Sequence, residues 1–170
     1  MNKLILILTL TAGLSFAQTA TPVQIPLSPL PTQYGAIGMS FDPTTNPGVS
    51  GDVEWGKLMT DPAQVFGSYL GASVNVIPNS DKSVTVSAVQ AKAREVLYRN
   101  NAIALVADTT AGISNNGSAT AGVFGGGLGV VFGKVNIFKI PMRFYIGAKS
   151  LTSTSTGTKV GPAFALVFTP

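Results

Sequence analysis

Residues 137–151, "IFKIPMRFYIGAKSL", decide the fold. Every second residue is apolar: Phe138, Ile140, Met142, Phe144, Ile146 and Ala148. The intervening set carries Lys139, Arg143, Tyr145 and Lys149. A period of two is the signature of a strand whose faces meet different surroundings. One face of this strand is oil and the other holds three cations. In water the oil would be a core and the cations a surface. In a membrane barrel the oil would meet lipid and the cations would point inward.

The same period recurs along the chain, broken by turn-forming clusters. "QYGAIGMSF" (33–41) stops at "DPTTNPG", and "GDVEWGKLM" (51–59) stops at "TDP". "QVFGSYLGASVNVI" (64–77) stops at "PNSD", and "KSVTVSAVQAKA" begins at 82. "NAIALVADTTAGI" (101–113) stops at "SNNG". "SATAGVFGGGLGVVFG" (118–133), the opening stretch and "TKVGPAFALVF" (158–168) complete the set. The expected fold is all-β, an antiparallel meander of about eight strands closed into a barrel over residues 33–170. Closure removes the two sheet edges that a long apolar sheet would expose. "VQAKAREVLYRNN" (89–101) is rich in helix formers, yet Val96, Leu97 and Tyr98 in a row favour a strand. The reading adopted is a long strand with a bulge.

Before the barrel, Lys3 followed by "LILILTLTAGL" and the small residues Ser15 and Ala17 forms a signal-peptide pattern over residues 1–17, with cleavage after Ala17. The apolar run is shorter than the roughly 20 residues of a membrane-spanning helix. Residues 18–32, "QTATPVQIPLSPLPT", form a Pro-rich extended lead.

Composition narrows the function classes. The 170 residues are 45% hydrophobic but only 11% charged, against about 25% charged in ordinary soluble domains. There is no cysteine and no histidine. That removes thiol chemistry, Ser-His triads and His/Cys metal sites, and no cofactor or metal is expected. The glycine run "GVFGGGLG" lacks the strand-to-helix context and Lys-Ser/Thr of a phosphate loop. The charge of +4 is too small and dispersed for a nucleic-acid partner.

The carboxylates instead suggest an interior charge network. Asp52 and Glu54 share one face of the second strand, opposite Val53 and Trp55, and Asp108 lies in the fifth. Interior cations at Lys139, Arg143 and Lys149 would then have anions to meet, as burial of charge requires. Asp52 and Glu54 could also be written as a paired-carboxylate catalytic site, but ion pairing is the simpler role. The glycines Gly125, Gly127 and Gly129 share a face of strand six. They either leave room for long side chains from neighbouring strands or permit tight curvature. Pro141 and Pro162 are awkward in a closed barrel, since proline cannot donate to a ladder.

Eight strands behind a signal peptide, ending in the alternating Val160, Phe164, Leu166 and Phe168, resemble the small bacterial outer-membrane β-barrels of the OmpA-transmembrane-domain, OmpX and OmpW types. The resemblance is one of pattern over residues 33–168. It implies an outer-membrane, non-enzymatic protein with the lipid bilayer as its partner and a structural, adhesive or narrow-pore role. The alternative is a secreted or periplasmic soluble barrel or sandwich that binds a small apolar ligand or a protein partner.

Overall fold

The computed structural model describes residues 27–41, 49–78, 84–115, 120–137, 139–154 and 157–169. The expected signal peptide (1–17), its cleavage site and the first part of the Pro-rich lead lie outside the described residues. Eight strands follow in chain order: β1 (Gln33–Phe41), β2 (Val49–Leu58), β3 (Gly67–Pro78), β4 (Val84–Arg99), β5 (Ile103–Asn115), β6 (Thr120–Ile137), β7 (Ile140–Ser153) and β8 (Gly157–Phe168). Each pairs antiparallel with the next, and β8 returns to β1, giving a closed meander. Both ends of the described chain lie at one rim, here called proximal, with the connections β2–β3, β4–β5 and β6–β7. The opposite ends of the strands lie at the other, distal rim.

Residues 89–99 are strand, and the register of β4 against β5 shifts between Val96 and Tyr98. The bulge returns the side-chain alternation to phase, so that Val96 and Arg99 are both buried while Leu97 and Tyr98 face out. A second irregularity, between Phe132 and Val135 on β6, coincides with Gly133, whose φ of +68° suits a residue without Cβ.

Closure accommodates both prolines. The β1–β8 ladder runs from Gly35↔Phe168 to Ser40↔Ala163. Pro162 lies one residue past its end and keeps a partner only on β7, Ala148. Pro141 lies one residue before the β7–β8 ladder begins at Met142 and is matched only to Asn136 on β6. Each ring therefore sits where one neighbouring strand has run out, and no ladder donor is lost there.

The two faces of the wall are unlike. Outward-facing apolar side chains come from all eight strands: Ile37, Trp55, Leu70, Val89, Ile113, Phe124, Ile146 and Phe164 represent one each, and all are exposed. Among the described residues, outward-facing strand charges lie at the proximal margin, where Lys57 lies one residue from the end of β2 and Glu95 meets Ser68 of β3. The lumen changes character along its axis. Ser73, Asn75 and Gln90 occupy its distal part, charged residues its middle, and Leu58, Val96, Val106, Val131 and Val167 its proximal part.

Candidate functional site

The middle of the lumen holds three carboxylates and three cations. Alternation along β2 turns Asp52 and Glu54 inward, and alternation along β4 turns Lys92 and Arg94 inward with Gln90. β5 contributes Asp108 and β7 contributes Lys149. Arg94 grips Asp108 with two parallel bonds, Nε to Oδ1 at 2.6 Å and Nη2 to Oδ2 at 2.8 Å, the fork geometry of a strong charge-assisted pair. The same Nη2 reaches Glu54 Oε2 at 3.2 Å. Lys92 donates to Glu54 and lies 3.1 Å from Asp108. Lys149 crosses from β7 to Asp52 at 2.8 Å and Glu54 at 2.9 Å. The cluster is formally neutral and ties four strands together across the lumen.

An aromatic layer lies against it on the proximal side. The guanidinium carbon of Arg94 is 4.6 Å from the centre of the Tyr34 ring and 5.5 Å from that of Tyr145, within cation–π range. Tyr34 and Tyr69 meet edge to face at 5.2 Å. Glycine makes this layer possible. A Cβ at Gly129 would lie 2.5 Å from a Tyr145 ring carbon, and one at Gly127 would lie 3.1 Å from Lys149 Cγ. The glycines of β6 are therefore the seats of side chains from β7.

Of the expected interior charges, Asp52, Glu54, Asp108 and Lys149 come together. Lys139 does not join them. It is exposed, in the two-residue β6–β7 turn, with φ +67°, because β7 begins only at Ile140. Arg143 does face inward, but nearer the proximal mouth, and forms no ion pair among the described residues. Their places are taken by Lys92 and Arg94, which lie in the segment whose helical composition obscured its strand period. The signal was present: Gln90, Lys92 and Arg94 alternate with Ala91, Ala93 and Glu95.

The end of the Pro-rich lead enters the proximal mouth. Leu30 is buried, its amide donates to Pro62 O at 2.8 Å, and the Tyr69 hydroxyl donates to Pro31 O at 2.9 Å. Arg99 secures it from β4, donating to the carbonyls of Ser28 at 2.6 Å, Gln64 at 2.6 Å and Val65 at 3.2 Å. Beside this strap, between the aromatic layer and the rim, lies a cavity of about 360 Å³.

The fold and its lumen define the class: a closed eight-stranded antiparallel barrel, apolar outside, with a neutral ion-pair layer across its interior. The chain matches no protein-family model, no curated protein and no solved structure.

Proposed function

We propose that this chain is an integral outer-membrane barrel, non-enzymatic, with a structural role in the cell envelope and the bilayer as its partner. One observation carries the reading. Large apolar side chains face outward from all eight strands while six paired charges are held inside. That is the arrangement of a barrel whose solvent is lipid, and a contiguous apolar surface of that extent is foreign to soluble monomers. The strand lengths support it, since spanning a bilayer takes about 9–11 tilted residues and the strands run from 9 to 18. The filled charged layer favours a structural role over an open pore, because an eight-stranded lumen is just wide enough for side chains to fill. With every carboxylate of the layer held by a cation, ion pairing is also preferred to paired-carboxylate catalysis.

A second reading, a soluble periplasmic barrel carrying an apolar ligand, draws support from the proximal cavity. Spin labels at positions 140, 144 and 146 separate the two. In the membrane reading the labels are mobile, accessible to oxygen and shielded from a polar relaxant. Labels open to the polar relaxant, or immobile and closed to both reagents, would overturn it. Release of the exported chain from membranes by a carbonate wash would count against it in the same way.

A further inference from the structure

We propose that the proximal cavity is a binding site for a single-chain anionic amphiphile, an acyl chain of about ten carbons with a negatively charged head. Three features of the cavity point there, and none depends on what the outer wall meets. The first is its wall. Val96, Val106, Val131 and Val167 line it, Tyr34 and Tyr69 form its floor, and Leu30 of the strap closes one side. Such a surface favours a hydrocarbon over a polar solute.

The second is charge. Arg94, Arg99, Lys134 and Arg143 line the cavity, and no carboxylate side chain does among the described residues. Arg94 is neutralised by Asp108 and Glu54, and the guanidinium of Arg99 is occupied by three carbonyls. Lys134 and Arg143 form no ion pair among the described residues, and both stand near the mouth rather than at the apolar floor. The two free cations are therefore placed for a head group at the mouth while the chain lies deeper. A cationic or zwitterionic head would gain less there, and a neutral alcohol would leave both cations without a partner.

The third is size. At about 30 Å³ per water in the liquid, the cavity's roughly 360 Å³ has room for about a dozen waters or a straight chain of about ten carbons. Long-chain diacyl lipids are too large. A free fatty carboxylate and a short-chain lysolipid with an anionic phosphate head share the required chemistry.

The test is photolabelling of the full chain, in phosphatidylcholine nanodiscs or in plain buffer, with a decanoate carrying a diazirine at its chain end. Labelled peptides are read by mass spectrometry. Adducts are expected on the inward positions of β4, β5, β6 and β8 around Val96, Val106, Val131 and Val167. Excess decanoate or decanoyl lysophosphatidylglycerol should suppress them, the stronger competitor identifying the source of the ligand, whereas decanol and decyltrimethylammonium should be at least tenfold weaker. The double variant Lys134→Gln/Arg143→Gln should lose tenfold or more in apparent affinity while keeping the wild-type unfolding midpoint. The wild-type competition series stands without any variant. Adducts confined to outward residues such as Leu128 and Phe124, labelling unaffected by excess decanoate, or equal competition by the cationic amphiphile would each overturn the proposal.

Discussion

Arg94 is the side chain whose removal most directly tests the luminal charge layer. Arg94→Met keeps much of its length and removes its charge. Asp108 then loses its bidentate partner and Glu54 loses one of its three cations. Breaking a buried pair by deleting one member typically costs about 3–5 kcal/mol. Lys92, 3.1 Å from Asp108, remains as a partial substitute, which places this loss near the lower end, about 3 kcal/mol. The contacts with Tyr34 and Tyr145 add about 1 kcal/mol between them. The expected destabilisation is thus about 4 kcal/mol, roughly a thousandfold in the folding equilibrium. With a urea slope of about 2 kcal/mol/M, the midpoint should fall by about 2 M. Urea titration in phosphatidylcholine vesicles, followed by Trp55 fluorescence and by the gel mobility of unheated protein, measures it. Asp108→Asn in the Arg94→Met background should recover part of the loss, about 2 kcal/mol, because it removes the stranded carboxylate. An unchanged midpoint in Arg94→Met, with no recovery in the double variant, would refute the claim that these charges are dry and mutually dependent.

Other outcomes follow from the same geometry. Arg143→Leu should lie within about 0.5 kcal/mol of the wild type in the same titration, since Arg143 has no ion pair among the described residues; a loss above 2 kcal/mol would place it in the charged layer after all. Gly129→Ala should cost about 1–3 kcal/mol, because its Cβ would lie 2.5 Å from the Tyr145 ring and 2.7 Å from Ile146 O, whereas at Gly122, where the nearest atom is 3.5 Å away, the same change should be close to neutral. Arg99→Gln should release the strap, seen as at least tenfold faster hydrogen exchange at the Leu30 amide with the β4–β5 ladder amides unaffected. On the outer wall, the proposed membrane location expects Ile146→Val in vesicles to cost less than the roughly 0.5–1.5 kcal/mol typical of a packed core, because lipid would fill the space; a loss in that range or above would count against it.

The alternation of Phe138, Ile140, Met142, Phe144 and Ile146, repeated in seven other segments, was enough to specify strands and their number. Side-chain direction in a strand is a local property with a period of two, so neighbouring residues suffice to reveal it. The same rule made the inward facing of Asp52, Glu54, Asp108 and Lys149 legible. It failed at Lys139, because the start of β7 is set by a two-residue turn rather than by the hydrophobic pattern, and it obscured Lys92 and Arg94, because their flanking alanines and Glu95 are equally at home in a helix. Arg94 and Asp108 meet as direct cross-strand partners of β4 and β5, but the contacts of Lys149 with the β2 carboxylates are decided only by closure. Glu54 and Lys149 are 95 residues apart and touch because β8 pairs with β1 in one register, bringing β2 and β7 to face each other across the lumen. The prolines are tolerated for the same reason, since only the closed ladder shows where a neighbouring strand runs out. The proximal cavity and its strap belong wholly to the tertiary structure. Nothing local in "SPLP" places Leu30 within a barrel mouth, and that position exists only once β2, β3 and β4 have assembled the Pro62 carbonyl, the Tyr69 hydroxyl and the Arg99 guanidinium around it.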